Sequence, residues 1–369
     1  MSSAWVPTSP PGQRATAGMA LPQAGIPDFS LRINGANLSQ QALADVRALT
    51  VEEDLDALSM FTLELYNWDD ERLQVSWSDS NQFAVGNEVE VWLGWVDDLH
   101  KVMLAEVTSL EPAFASDQPP TLTVRGYDHR HRLSRGRRTR TFAQMKDSAI
   151  ATQVAREAGL RAQARDTRQA LPFVVQSNQT DWEFLRQRAG MLGWEVYVRD
   201  KVLHFQPPGH AAQASVRLSL GSDVDEFTPR LSSLGQEGQV AVRSWNVREK
   251  QPIVGSASVG QESAMGRASG PVAANRAWGK ASTSIVDQPV RSKAEADQVA
   301  VGRFNQLALA YVQGTVACSG RPQLHAGMVV HIEGAGRTFS GPYYVTSVSH
   351  ALSQDQGYRT SFTVERNAT

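Results

Sequence analysis

The sequence predicts a β-rich α+β protein in which two β-units flank a smaller α+β unit. Three observations carry this. Short segments between Pro27 and Val124 alternate apolar and polar residues, the period of a half-buried strand. Two helix-period stripes, each with a start signal, lie between residues 129 and 209. Period-two segments then return from Val216 to Glu365.

Residues 1–26 are rich in Pro, Ser, Ala and Gly, with Pro7, Pro10, Pro11 and Pro22 breaking any regular element. They read as a disordered N-terminal arm that orders only against a partner. From Pro27 the pattern changes. Phe29, Leu31 and Ile33 alternate with polar residues and end at the turn signal Asn34-Gly35. Strands are expected over 46–51, 61–66, 89–95, 102–110 and 122–124, with 69–81 polar and turn-rich. Six or seven short strands without a helix make 27–128 a sandwich or barrel.

The middle unit, 129–209, begins its first helix at Asp147, which is expected to cap it. Ile150, Val154, Ala155 and Ala158 share one stripe and Gly159 follows the end. Thr180-Asp-Trp-Glu183 reads as a capping box opening a second helix, which Gly193 ends. Trp194, Val196 and Val198 then alternate, Asp200-Lys201 turns the chain, and 202–205 returns as a hairpin. In 210–369, strands are expected over 216–220 and 240–247. Residues 250–290, rich in Gly, Ser and Ala, read as a long loop, mobile or lying on a partner. Ser292-Lys-Ala-Glu295 is a second capping box, opening a helix over 292–312 that carries Ala300, Phe304, Leu307, Ala308 and Tyr311 on one stripe. Strands over 315–318, 328–332, 343–348 and 358–365 close the chain.

With 369 residues and 41% hydrophobic content the chain has room for two or three domains and a sizeable core. Its net charge of −2 argues against a dedicated nucleic-acid binder. Cys318 is the single cysteine, so no intrachain disulfide and no cysteine-based zinc site can form. The N-terminus has no basic region followed by an apolar run, and no stretch of about twenty apolar residues occurs.

No His-Glu-x-x-His, Gly-x-Ser-x-Gly, P-loop or dinucleotide glycine motif is present. Asp128-His129-Arg130-His131 places two histidines two apart, which on a strand share a face and could begin a metal site. No third ligand follows by spacing, and the neighbouring arginines repel cations, so these read as surface residues. His325, His331 and His350 read as structural histidines. Asp69-Asp70 and Asp97-Asp98 could serve acid–base hydrolysis but sit in turns, where solvated carboxylates are the ordinary case. Cys318 on an alternating strand reads as a small buried residue.

The densest charge lies in 121–142. Leu122 and Val124 alternate as a strand, Gly126 marks a bulge or close backbone approach, and Arg130, Arg132, Arg135, Arg137, Arg138 and Arg140 follow. Glu52, Glu53, Asp54 and Asp56 are a candidate counterweight. The arginines could pair with carboxylates across a subunit interface, neutralise nucleic-acid phosphates, or form a solvated face. No aromatic residues interleave them to stack bases, which leaves interface pairing as the leading reading.

Three groups of motifs carry a resemblance. Val124-Arg-Gly-Tyr-Asp128 leads through the arginine segment to a helix. Gln176-Ser-Asn-Gln-Thr-Asp-Trp-Glu-Phe-Leu185 runs into Gly193-Trp194 and a hairpin. The C-terminal run holds Gly320-Arg-Pro, Leu324, Gly327-Met-Val, Ser340-Gly-Pro-Tyr-Tyr-Val-Thr-Ser-Val-Ser-His350 and Gly357-Tyr-Arg-Thr-Ser-Phe362. In this order, over residues 27–367, they resemble the late control gene D protein family of phage tails. That family is similar to the hub part of the spike proteins of type VI secretion and extracellular contractile injection systems.

The resemblance implies two tube-forming β-barrel domains, 27–128 and 210–369, with 129–209 as an inserted small α+β domain. It implies a homotrimer whose ring of six similar barrels adapts a six-fold tail tube to a three-fold spike. The implied partners are the tail tube protein, a spike or needle protein and surrounding baseplate proteins, with no nucleic acid and no direct membrane insertion by this chain. Assembly is expected in the bacterial cytoplasm, within an extracellular or virion-like particle. No catalytic, cofactor or metal residue is carried over. The six arginines are expected to face a neighbouring subunit or baseplate partner. Fused spike proteins of this kind continue into a small barrel and a β-helical needle, whereas this sequence stops at Thr369, so the needle is expected outside it. A tail-associated cell-wall hydrolase and a nucleic-acid-binding module are the alternatives.

Overall fold

The computed structural model describes residues 25–369. The expected arm, 1–26, lies outside the described residues except for Gly25 and Ile26.

The first β-unit contains β1 (Pro27–Ile33), β2 (Ala36–Asn37), the short helix α1 (Gln40–Ala44), β3 (Val46–Asp54), β4 (Met60–Tyr66), β5 (Glu88–Trp95), β6 (Asp98–Ala113) and β7 (Thr121–Tyr127). The expected alternation is visible in β4, where Phe61, Leu63 and Leu65 are buried and Thr62 and Glu64 face the other way. Asn34 and Gly35 both take positive φ, as a two-residue hairpin turn requires. Helix α1 was not expected; Ser39 caps it by accepting from the Ala42 amide at 3.2 Å. Gly126 is a close approach: a Cβ there would collide with Phe61 and with the Glu106 carbonyl.

The inserted unit contains α2 (Arg130–Leu133), β8 (Arg138–Met145), α3 (Asp147–Glu157), β9 (Arg161–Ala164), β10 (Leu171–Gln179), α4 (Asp181–Leu192), β11 (Glu195–Arg199) and β12 (Val202–Gln206). Its core includes Ile150, Val154, Phe184, Leu203 and Phe205, with Phe142 and Phe184 stacked 5.6 Å apart. The Thr180 capping box forms in both directions, at 3.1 and 3.0 Å, and Gly193 ends the helix with φ +64°. Asp147 does not cap α3 as expected. It is the first helical residue, and its carboxylate accepts from Arg188 at 2.6 and 2.9 Å. Strands β8, β9 and β10 were also not expected: β8 alternates arginine with threonine, β9 has four residues, and the apolar residues of β10, Leu171, Phe173, Val174 and Val175, do not alternate.

The rest contains β13 (Val216–Ser219), β14 (Glu226–Leu231), β15 (Gln239–Asn246), β16 (Gln251–Ser258), α5 (Gly270–Trp278), β17 (Ser282–Ile285), α6 (Lys293–Leu309), β18 (Val312–Ser319), β19 (Val329–Glu333), α7 (Gly336–Phe339), β20 (Gly341–Ser353) and β21 (Gly357–Arg366). The expected loop over 250–290 is instead a strand, a helix and a second strand. Its small residues are what a close helix contact demands: a Cβ on Gly255 would collide with Ala296 of α6. Strands β16, β15 and β17 form their own sheet, covered by Val299, Ala300 and Phe304 of α6. Only half of the second capping box forms. Ser292 accepts from the Glu295 amide at 3.1 Å, while the Glu295 carboxylate accepts from the Arg291 amide at 2.8 Å.

The two β-units are not separate sheets. Among the described residues one 13-stranded sheet runs β14-β18-β21-β20-β3-β4-β7-β6-β5-β1-β2, with β13 and β19 attached off this path. The seam is the antiparallel pairing of β20 with β3, from Ser347 opposite Asp54 to Ser353 opposite Ala48. His350 lies at the seam with no exposure. Burial pushes its imidazole down to about 4, so it is neutral. The Leu324 carbonyl, 3.1 Å from Nε2, can only accept; Nε2 therefore carries the proton and Nδ1 accepts from the Tyr358 hydroxyl at 2.9 Å.

Glu53 joins all three units. It lies in β3; it accepts from His325 Nδ1 at 2.8 Å and the Ala326 amide at 3.3 Å in the second β-unit, and sits 3.5 Å from Arg199 of the insert. Burial alone would raise its carboxyl, but His325 and Arg199 hold it below the ordinary range. The insert is seated elsewhere by close backbone contact of Gly193 with Gly302, and by the Tyr344 hydroxyl, which donates to both oxygens of Glu195 at 2.7 and 2.8 Å. Burial lifts Glu195 to about 7 against the pull of that hydrogen bond.

Glu53→Ala leaves the Ala326 amide, His325 and the partly exposed Arg199 without their shared carboxylate. A loss of about 1–3 kcal/mol in urea unfolding is expected. Glu195 has the opposite sign. Its folded value exceeds the ordinary 4.5, so its contribution is whole below that pH and lost as pH rises through about 7. Between pH 5 and 8, Glu195→Gln, which keeps an acceptor for Tyr344, should lose about 2–3 kcal/mol less stability than the parent chain.

Candidate functional site

The arginine segment does not continue the strand it follows. After Asp128 the chain turns into α2, so His129 and His131 do not share a strand face. Arg130 is 1% exposed. Its Nε donates to Asp128 at 2.7 Å, Nη1 to the Asp54 carbonyl at 3.0 Å and Nη2 to the Ser59 hydroxyl, and its guanidinium lies over Trp182. It cannot face a partner, which corrects the expectation for this residue; it pins α2 to the end of β3. His131 Nε2 donates to Glu106 at 2.7 Å, and Arg132 holds the same carboxylate. Hydrogen bonds from Arg132 and His131 overcome burial and hold Glu106 at about 2. Among the described residues no three His, Cys, Asp or Glu side chains are placed to hold a metal ion.

The remaining arginines lie on the insert. Arg137 pairs with Glu183 at 2.8 Å, and Arg138 with Glu157 at 2.9 Å and Asp181 at 3.3 Å. Arg140 donates to Gln176 and Asp181 at 2.7 Å and pairs with Glu157. Arg135 is exposed and has no ion pair among the described residues. The counterweight is thus Glu106, Glu157, Asp181 and Glu183. Of the expected set, Glu53 meets Arg199, Asp56 lies 3.6 Å from Arg186, and Asp54 offers Arg130 its backbone carbonyl. Arg137 and Arg138 keep about half of their side-chain surface exposed, so their charge is available to a second carboxylate.

The other candidates resolve simply. Asp69 closes its own turn, accepting from the Glu71 and Arg72 amides at 3.0 Å. Asp97 is an exposed turn residue with φ +68°, and Asp98 pairs with His100 at 3.0 Å. His325 binds Glu53, and His331 lies 3.9 Å from Glu333. Cys318 is fully buried, and burial pushes its thiol up to about 12, far from a nucleophile's range. A cleft of 590 Å³ between α4, α6 and β20–β21 is lined by Glu195, Glu365, Asp56, Arg186, Arg303 and Tyr344. Burial raises both Glu195 and Glu365 there.

One surface feature was not singled out from sequence. It is the face of the large sheet opposite its core. One row across four strands is Thr228, Thr315, Thr363 and Ser347. The next is Glu226, Ala317, Ser361, Ser349 and Glu52. A third, across six strands, is Arg359, Ala351, Thr50, Thr62, Arg125 and Ser109. No large apolar side chain occurs in these rows. Hydroxyls bond one another, Thr346 with Thr363 at 2.7 Å and Ser347 with Thr363 at 2.6 Å. Arg125 reaches Glu111 at 3.0 Å and Thr62 at 3.2 Å. The signal was present as Ser and Thr at the polar positions of each alternating segment, but only the register aligns them into rows.

Solved structures share this fold. A 43 kDa tail protein of prophage MuSo2 from Shewanella oneidensis aligns with TM-score 0.68 and 16% identity, over 92% of this chain and 98% of that one. A tail protein from Neisseria meningitidis MC58 aligns with TM-score 0.68 and 12% identity, over 92% and 96%. An Escherichia coli component of the type VI secretion system, described as similar to the T4 tail proteins gp27 and gp5, aligns with TM-score 0.61 and 13% identity, over 92% and 77%. The motif resemblance therefore holds at the level of a β-rich tail-protein fold. No curated protein matches the chain in sequence. The family model described as the Alg8 N-terminal domain matches residues 23–354, and the chain belongs to that family.

Proposed function

We propose that this chain is a structural baseplate hub of a contractile injection system or phage tail, a homotrimer that adapts a six-fold tail tube to a three-fold spike. The observation that carries this reading is the single sheet fusing two β-units, one face over their cores and the other a field of small hydroxyl side chains. Two such units per chain and three chains make six wall segments, which matches a six-fold tube. In this reading residues 27–128 and 210–369 are the two tube-forming barrels and 129–209 decorates the outside. The lumen is then lined by the Ser, Thr and Ala of these rows, with Glu52, Glu226, Arg125 and Arg359 set among them. The tail and secretion-system origin of the structures that share the fold supports the same role. The partners are a tail tube protein, a spike or needle protein and surrounding baseplate proteins. Assembly takes place in the bacterial cytoplasm, and the role is not enzymatic. Among the described residues no helix is long and apolar enough to cross a membrane.

The exposed arginines of the insert, Arg132, Arg135, Arg137 and Arg138, with the half-buried Arg140 behind them, face a protein neighbour in this reading. The alternative of a cell-wall hydrolase has one observation behind it, the raised carboxyls of Glu195 and Glu365 in the 590 Å³ cleft. Release of peptidoglycan fragments by the parent chain, abolished by Glu195→Gln, would favour it.

Sedimentation of the purified chain with its spike partner is expected to show three copies per particle, and electron microscopy closed rings; a chain that stays monomeric with the spike present contradicts the hub. Within the arginine run the expected effects divide. Arg137→Glu with Arg138→Glu leaves the monomer folded, at a cost of about 1 kcal/mol per lost surface pair, and impairs particle assembly. Arg130→Ala acts on folding instead, at about 3–5 kcal/mol, because Asp128 is left buried without its cation.

A further inference from the structure

Charge is segregated along this chain. Residues 27–128 hold 19 acidic and five basic residues, a net −14. Residues 129–209 hold 15 basic and seven acidic residues, a net +8, and residues 210–369 come to +3. Part of the opposition is satisfied within the chain, through Lys201 with Glu88, Arg132 with Glu106 and Lys101 with Asp200. A remainder is not.

On the insert, Arg156, Arg161 and Arg165 are exposed and have no ion pair among the described residues. The end of α3 and the turn into β9 border the arginine run. Arg156 adjoins Glu157, which Arg138 and Arg140 hold, and Arg132 Nη1 lies 3.6 Å from where a Cβ on Gly159 would stand. Arg161 opens β9, an edge strand, and Arg165 directly follows its last residue, about 13 Å away at strand rise. On the first β-unit, the segment between β4 and β5 exposes Asp70, Glu71 and Asp79, also without ion pairs among the described residues. This pole also exposes Leu73 at 73% and, at the tip of the β6–β7 hairpin, Phe114 at 64%. Buried Asn67 fixes it: its amide donates to the Pro120 carbonyl at 2.8 Å and its Oδ1 accepts from the Trp77 and Ser78 amides at 2.8 and 3.0 Å.

We infer that the arginine surface of the insert (Arg156, Arg161, Arg165) docks on the acidic pole of the first β-unit (Asp70, Glu71, Asp79) of a second copy of this chain. This rests on the oligomeric hub reading and names the surfaces that join its copies. The two surfaces differ, so the contact is head-to-tail, and a head-to-tail contact closes into a ring when its rotation permits. A second copy is favoured over nucleic acid on two grounds. No aromatic side chain interleaves these arginines to stack a base. The adjoining β-unit of the same chain, at −14, repels a polyanion. Apolar contact at Leu73 and Phe114 supplies desolvated area, and the charges supply partner choice and rate.

The test uses the full chain. Arg156→Glu, Arg161→Glu and Arg165→Glu together, or Asp70→Arg, Glu71→Arg and Asp79→Arg together, are each expected to weaken self-association by about tenfold or more in sedimentation, with unchanged circular dichroism. The chain carrying all six reversals regains self-association. Parental association weakens as salt rises from about 0.05 to 0.5 M. A parental chain that never oligomerises, even with its spike partner, overturns the hub reading itself. Parental rings with variants that associate equally well overturn only this inference. Submicromolar DNA binding lost in the arginine variants, with rings intact, overturns it in favour of nucleic acid.

Discussion

The Glu53 carboxylate is the interaction on which the arrangement of this molecule depends. One buried side chain on β3 meets a histidine and an amide of the second β-unit and an arginine of the insert. Removing a carboxylate from water is costly, and the cost is offset here because each oxygen has a partner and one is cationic. Hydrophobic burial would hold each unit together separately, since each has its own core. It also opposes a slip of β3 against β20, since a shift by one residue would turn His350 and Val51 to the polar face. The Glu53 contact adds three defined polar partners that tie this seam to the second β-unit and the insert.

Once the seam is fixed, the polar face follows. Rows free of large apolar side chains run across up to six strands only because the pairing of β21, β20, β3, β4, β7 and β6 keeps the alternation in phase. Close approaches serve the same end. Gly126 lets β7 lie against Phe61, Gly193 and Gly302 let α4 meet α6, and Gly255 lets α6 lie on β16. The free edge at β14 carries Pro229 at its centre, which lacks a donor and limits unplanned strand addition.

Local pattern in the sequence was a good guide wherever one face of an element is apolar. The strands of the first β-unit, the Thr180 capping box with its Gly193 stop, and the hairpin turning at Asp200-Lys201 all stand where alternation and turn residues put them. Pattern failed where small or charged residues build structure. Residues 250–290 lack bulk because a helix presses on Gly255, and β8 alternates arginine with threonine. For the candidate site, the arginines were legible as a cluster but not by role. Arg130 and Arg137 look alike in sequence; only the fold puts one beside buried Asp128 and leaves the other at the surface. The threonine and serine rows were individually visible and collectively hidden, since they depend on strand order, which no local signal encodes.

The central claim is that the hydroxyl-lined face of the sheet becomes the inside of a closed tube wall. Cysteine labelling at Thr363→Cys in a Cys318→Ala background tests it most directly. The account predicts that a small maleimide labels the site in both free chain and assembled particle, while a bulky polymer-linked maleimide labels the free chain alone. Equal labelling of the assembled particle by the bulky reagent would place this face on the outside and contradict the account.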